Sequence, residues 1–276
     1  MAIVTGVTSG IGRATAARLA HLGVNVVGGA RRSELGLALV DDLVGSDGTF
    51  DFVRTDVRDV ADCLRLAEVT LERFGRIDIL INCAGFEGAP PIVASESVTE
   101  TQWDAVVDTN LKGLFFCCQG VLPTMRAQRA GTILNISSIN AIEGPARMAA
   151  YSASKAAVIQ LTRTLAVEYV LDGLRINVVV VGGVATAQAE RTREAIASHV
   201  LGSAAGAPQK AGANPLVYSP DEASRVLVWL CQPDADITGA TIAMDRAMSA
   251  GSMASTLIYM TSAGIWHKPY VGGSTT

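Results

Sequence analysis

Ala2-Ile-Val-Thr-Gly6-Val-Thr-Ser-Gly10-Ile-Gly12 opens the chain, and its reading decides the fold. The run from Ala2 to Thr5 has strand character, the glycines at 6, 10 and 12 make a turn, and a helical pattern continues through Leu22. Strand, glycine turn and helix start together form a cradle for phosphate. Glycines let the backbone approach a pyrophosphate closely, and a helix N-terminus offers free N–H groups and a partial positive charge. The residues that carry this are Gly6, Thr8, Ser9, Gly10, Ile11 and Gly12. Their spacing is Gly-x3-Gly-x-Gly rather than the commoner Gly-x-Gly-x2-Gly. A plain tight turn would look similar in isolation, so the rest of the chain decides.

Further along, apolar runs alternate with helical patterns. Residues 24–29, 49–54, 77–81, 132–137, 176–181 and 241–244 are mostly continuous β-branched runs, which suits strands buried on both faces of a parallel sheet. Helices are expected near 11–22, 34–44, 58–74, 97–128, 149–171 and 219–231. The alternation specifies an α/β fold with a doubly wound parallel sheet, and no internal repeat, low-complexity tract or linker divides it. The stretch 186–218 is rich in Ala, Gly and Ser, with one helical pattern at 190–201.

Ser138-x12-Tyr151-Ser-Ala-Ser-Lys155 carries the chemistry. Tyr151 and Lys155 lie four apart in helical sequence, so they share a face. A lysine ammonium beside a phenol favours the phenolate and is expected to pull the tyrosine pKa down from about 10. A tyrosine tuned in this way acts as general acid or base on an alcohol or ketone. Ser138 ends an apolar strand, where it can hydrogen-bond the same substrate oxygen.

With these elements in place, the chain resembles the short-chain dehydrogenase/reductase superfamily over residues 1–250. Thr5-Gly6-x3-Gly10-Ile-Gly12 matches the family's nucleotide loop, Asp56-Val57 its adenine-contacting pair, and Asn82-Cys-Ala84-Gly85 the element supporting the sheet and the cofactor ribose. Asn110 falls at the family's structural and proton-relay asparagine, so the resemblance implies a tetrad of Asn110, Ser138, Tyr151 and Lys155. It further implies direct hydride transfer, a cofactor loop with Gly182, Val184 and Thr186, and a substrate lid at 186–218, for which the plain alternative is a surface loop. By family position the substrate pocket contains Phe86, Glu87, Ser138, Asn140, Ile142, Glu143, Met148 and Gly183. That mixture suits a medium-sized, partly polar ketone.

Cofactor choice turns on the end of the second strand. An NAD enzyme usually has a carboxylate there; this chain has Ala30 followed by Arg31 and Arg32. A missing carboxylate and an added guanidinium favour a 2′-phosphate, hence NADP(H). Ser9 stands where many NADP-using relatives carry a basic residue, so one supporting feature is missing. The function expected is NADPH-dependent reduction of a ketone to a secondary alcohol with Tyr151 as general acid. Two alternatives stand beside it: an NADP-linked polyol or sugar dehydrogenase, and a catalytically idle, nucleotide-binding regulatory protein.

Composition excludes other classes. A net charge of −4 gives no basic excess for nucleic acid or an anionic membrane, and no apolar run reaches membrane-spanning length. Five cysteines without metal-ligand spacing read as buried thiols, and the three histidines are scattered, so no metal is expected. Met1 lies almost on the first strand, leaving no room for a targeting segment, and a cytoplasmic location follows. Long apolar stretches at 111–118 and 156–165 suggest self-association. The family makes a homotetramer the first expectation and a dimer the next, with the apolar tail crossing to a neighbouring subunit. Two departures from the family pattern stand out. Val181-Gly182-Gly183 replaces the usual Pro-Gly, predicting looser cofactor placement. Asp245-Arg-Ala247 replaces Asp-Gly-Gly, predicting a turn without positive φ angles.

Overall fold

In the computed structural model, which describes residues 1–201 and 216–250, seven strands form one parallel sheet in the order β3-β2-β1-β4-β5-β6-β7. The strands are β1 (Ala2–Thr5), β2 (Val26–Ala30), β3 (Phe50–Arg54), β4 (Ile79–Asn82), β5 (Gly131–Ser138), β6 (Leu174–Val181) and β7 (Thr241–Met244). Between them run the helices α1 (Gly10–His21), α2 (Ser33–Asp42), α3 (Val60–Phe74), α4 (Glu100–Val107), α5 (Gly113–Gln128), α6 (Ala149–Tyr169), α7 (Ala187–Leu201) and α8 (Pro220–Leu230). The expected boundaries hold to within a few residues. The tail at 251–276 and the lid residues 202–215 lie outside the described residues.

Continuous apolar runs form these strands because both faces are covered. Ala2, Val4, Val26, Ile81, Leu134 and Val179 enter one core, beneath α1, α2 and α8. Ile3, Val27, Leu80, Ile133 and Ile176 enter the other, beneath α3, α5 and α6. Each fully buried Leu or Ile contributes about 1.5–3 kcal/mol through lost water contact. Helix ends are set by local chemistry. The Asp59 carboxylate accepts the Ala61 N–H at the start of α3, and Gly75 ends that helix at φ +69°. Ser219 and Glu222 cap the start of α8 reciprocally.

Two details of this frame position the cleft described next. The helices α4 and α5 run into each other through a π turn, Asp108–Lys112, in which the Gly113 N–H reaches the Asp108 carbonyl. Val181 continues β6, in register with Ser138 and Met244, and is buried. Its N–H can join the ladder where a proline could not, so the strand is extended rather than loosened. The turn after β7 also differs from expectation: Arg246 and Ala247 adopt φ of +51° and +67°. The cost, about 1–2 kcal/mol per non-glycine residue, is offset by tertiary bonds. The buried Asp245 carboxylate accepts the N–H groups of Ala247 (3.0 Å) and Ser249 (2.9 Å). The Arg246 guanidinium donates to Glu222 at 2.8 Å and lies 4.4 Å from the centre of the Tyr218 ring.

Candidate active site

A cleft of about 440 Å³ opens over the carboxyl ends of the strands, where the strand order reverses between β1 and β4. Its floor is the glycine turn. Gly6 takes φ +76°, and a Cβ there would stand 2.9 Å from the Ala84 nitrogen. A Cβ on Gly12 would stand 2.6 Å from the Gly6 carbonyl oxygen, so turn and helix approach as closely as backbone allows. Ser9 begins α1 without a side-chain cap, and the first turn holds no acidic residue. The open N–H groups and their dipole therefore face the cleft. Thr8, Ser9, Gly10 and Ile11 line it as well. Backbone cradle, helix dipole and nearby arginines fit an anionic dinucleotide.

At the end of β2, Arg31 lines the cleft and makes no hydrogen bond or ion pair among the described residues. Arg32 instead folds over the glycine turn, donating to Thr8 Oγ1 at 2.9 Å and Ser9 Oγ at 3.0 Å. A guanidinium thus occupies the neighbourhood in which Ser9 itself supplies no charge. Asp56 and Val57 form the adjoining wall. The bidentate Arg58 guanidinium holds the Asp56 carboxyl below its usual range, with the Arg31 charge adding to the effect. Gly182, Val184 and Thr186 close the opposite end, where the Thr186 methyl would be 3.1 Å from a Cβ on Gly10.

In the middle stand Ser138 at the end of β5 and Tyr151 and Lys155 one turn apart on α6. Their placement is locked from below: Ser137 Oγ donates to the Lys155 carbonyl (2.8 Å), and Lys155 Nζ donates to the Ile136 carbonyl (2.8 Å). Ser138 hydrogen-bonds Tyr151 and accepts the Asn140 N–H. The expected lowering of the tyrosine pKa is reversed. Burial pushes the Tyr151 phenol above its ordinary 10, the Glu87 charge adds to this, and the Ser138 bond opposes it. Lys155 does not rescue the phenolate because its ammonium lies 5.9 Å from the ring centre and serves the Ile136 carbonyl. Burial itself lowers Lys155 to about 8.

Several expected site residues stand outside the cleft. Asn110, fully buried in the π turn, is saturated. Its Oδ1 accepts the Phe86 N–H (2.8 Å), and its Nδ2 donates to the Phe86 carbonyl (2.9 Å) and Ser154 Oγ (3.0 Å). Since Ser154 Oγ donates to the Tyr151 carbonyl, Asn110 clamps the Phe86 loop to α6. Asn82 turns away from the cofactor wall and donates to Asn135 Oδ1 on the adjacent strand β5, leaving Cys83, Ala84 and Gly85 as the lining of that segment. Among the expected pocket residues, Phe86, Glu87 and Ser138 line the cleft, whereas Asn140, Ile142, Glu143, Met148 and Gly183 do not. Asn140 is engaged with Met148 Sδ at 3.4 Å, and the Gly183 carbonyl accepts the Tyr218 N–H. Residues that the motifs did not disclose include Thr55 and Ile136, whereas Cys83 belongs to the Asn82–Gly85 element and Gln188 and Arg191 to the expected lid. Only Thr55 had a usable signal, being the neighbour of Asp56 at the end of β3.

The short chain dehydrogenase family model matches residues 1–197. The chain belongs to that family. It is accordingly an oxidoreductase, and its relatives within the family include ketone- and alcohol-processing enzymes. It is 33% identical over 262 residues to a 3beta-hydroxysteroid dehydrogenase of Mediterraneibacter gnavus, covering 88% of this chain and 92% of the relative. To the 3-oxoacyl-(acyl-carrier-protein) reductase of Thermotoga maritima it is 35% identical over 228 residues, covering 81% and 92%. Among solved family structures, a variant of actinorhodin polyketide ketoreductase with NADPH superposes with a TM-score of 0.82 at 30% identity, covering 91% and 97% of the two chains. Among the described residues, no helix of this family member is long and apolar enough to cross a membrane.

Proposed function

We propose that this oxidoreductase uses NADPH to reduce a ketone to a secondary alcohol. The observation that carries the reading is the convergence of Ser138, Tyr151 and Lys155 in the cleft that continues to the glycine turn and Arg31. NADPH would lie on that turn with its 2′-phosphate at Arg31 and Arg32, and it supplies hydride to the carbonyl carbon. Ala30 leaves no carboxylate to repel the phosphate. Ser138 orients the carbonyl oxygen, and Tyr151, held as a neutral phenol by burial, donates the proton to the developing alkoxide. Lys155, in the same cleft, would hold the nicotinamide ribose. The Asn110 clamp fixes Tyr151 through Ser154 rather than by offering its side chain to water.

The reductase is the reading taken in preference to the polyol dehydrogenase. The names of the relatives and the NADPH-bound neighbour support the same choice. Five free thiols suit a reducing cytoplasm. The half-buried Phe115, Phe116, Ile159 and Leu161 suit pairing of α5 and α6 in a homo-oligomer, with residues 1–250 as the nucleotide-binding unit. The deciding experiment follows NADPH and NADH oxidation at 340 nm over a panel of cyclic, acyclic and thioester ketones. Turnover with NADPH supports the reading, and turnover only of polyols with NADP⁺ overturns it.

A further inference from the structure

Glu87 is the one carboxylate among the described cleft residues that neither the proton-transfer step nor the nucleotide site uses. It follows Phe86 in the loop after β4, lines the same cleft as Ser138 and Tyr151, and is half-buried. Phe86 is packed with Val106, Met148, Ala150 and Tyr151, so the neighbouring wall is fixed and apolar. One Glu87 oxygen, Oε2, accepts a short hydrogen bond from the hydroxyl of Thr192, which is buried on α7, 105 positions away. Ala187, Gln188, Ala189 and Arg191 of the same helix form the cleft's outer wall. Glu87 therefore stands where the reacting centre meets the lid.

Its bonding is incomplete. A carboxylate can accept about four hydrogen bonds, and among the described residues Thr192 is its one hydrogen-bond partner. No described cation comes within 4.0 Å of it, although Lys155 and Arg191 share the cleft. Its remaining acceptor positions are open to a donor in the cleft. The same charge acts on both Tyr151 and Lys155, which places it close to where the carbonyl must sit.

Resting on the reductase reading above, we propose that Glu87 is a specificity-determining residue that selects ketones carrying a hydroxyl near the carbonyl, the hydroxyl donating to the Glu87 carboxylate. A neutral donor is favoured over an ammonium because Lys155, Arg31, Arg32 and Arg191 already line the cleft with positive charge. An anionic group at the same place meets the carboxylate and is rejected.

The test uses the full-length protein with NADPH and pairs of shape-matched probes: 2-, 3- and 4-hydroxycyclohexanone against the corresponding methylcyclohexanones. At the best position the hydroxylated ketone should exceed the methylated one in kcat/KM by ~10-fold or more, the usual scale for a hydrogen bond to a charged group. In Glu87→Leu that ratio should fall to within about 2-fold of unity through a raised KM for the hydroxylated ketone. The Kd for NADPH should stay within about 2-fold, and any effect of Glu87→Leu on turnover through Tyr151, Lys155 or the lid should be common to both ketones, so that the change in their ratio reports the hydroxyl contact alone. Thr192→Val removes the lid contact and keeps the carboxylate, so it should retain the preference. An unchanged ratio in Glu87→Leu at every position overturns the assignment while leaving the reductase reading intact. So does an equal loss for both ketones in Glu87→Leu and Thr192→Val, which would make Glu87 a lid anchor only. Preference for aminocyclohexanones over hydroxylated ones overturns the choice of a neutral donor. Absence of turnover with every ketone overturns the reductase reading and this one with it.

Discussion

Replacing Lys155 by methionine should make the protein more stable and inactive at once. Burial lowers the Lys155 ammonium from an ordinary 10.5 to about 8. At roughly 1.4 kcal/mol per pH unit this amounts to about 3 kcal/mol of destabilisation at pH 7. Against that stands the bond from Nζ to the Ile136 carbonyl, about 1.5 kcal/mol for a charged donor. The methionine fills similar space without charge, so Lys155→Met should gain about 1–2 kcal/mol. In a chain of this size that raises Tm by about 2–6 °C. The sign with pH is decisive. Below pH 8 the lysine is charged whether folded or unfolded, and the full penalty applies. Between about 8 and 10.5 the unfolded chain binds the extra proton, so wild-type stability recovers as pH rises. Above 10.5 nothing of the penalty remains and only the lost hydrogen bond separates the two proteins. Scanning calorimetry without added nucleotide, at pH 7 and at pH 10.5, should therefore show the variant ahead at the first and level or behind at the second. A variant less stable at pH 7, or an offset that does not change with pH, would refute the reasoning.

Three further outcomes are expected. Tyr151→Phe keeps the ring and the NADPH Kd but should lower kcat by ~10²-fold or more; near-normal kcat would assign the proton to another group. NADPH should be favoured over NADH by ~10-fold or more, about 1.4 kcal/mol. Ala30→Asp combined with Arg31→Ile should narrow or reverse that ratio, and equal Kd values in the unmodified protein would remove the role of Arg31. Ala247→Gly relieves a left-handed residue and should raise stability by up to about 1 kcal/mol, whereas Arg246→Gly should lower it because the bonds to Glu222 and Tyr218 go with the side chain. Urea denaturation of both variants distinguishes backbone strain from side-chain anchoring.

What the sequence disclosed was what local chemistry decides. The glycine spacing at 6, 10 and 12 and the four-residue step from Tyr151 to Lys155 mean the same thing in any parallel α/β sheet. Largely apolar runs such as 132–137 and 176–181 announced strands covered on both sides; the core clusters take up their Ile, Leu and Val residues, while the buried Asn135, Ser137 and Asn177 are hydrogen-bonded. Properties set by distant neighbours were not legible. The direction of the Tyr151 pKa depends on burial and on Glu87, not on the adjacent lysine. Asn82 and Asn140 carry the right side chains for a site, but Asn135 and Met148 claim them. Arg246 and Ala247 accept positive φ because Glu222, Tyr218 and Asp245 hold them there, and no local rule anticipates that.

The π turn at Asp108–Lys112 makes the length of its helix a part of the site's specification. The rod from Glu100 to Gln128 carries one residue more per turn there than α geometry would need. Deleting Leu111 or Lys112 from the π turn could restore regular winding at little cost in backbone hydrogen bonds. Each residue in an α-helix, however, accounts for about 100° of rotation. Everything upstream of the deletion would swing by that angle relative to α5, which is pinned where Gly113 lies against the Val57 carbonyl. Asn110 could not then keep both Phe86 and Ser154. Substitutions in this helix can be judged one side chain at a time, but insertions and deletions cannot: between Trp103 and Gly113 the chain is counted rather than merely spelled.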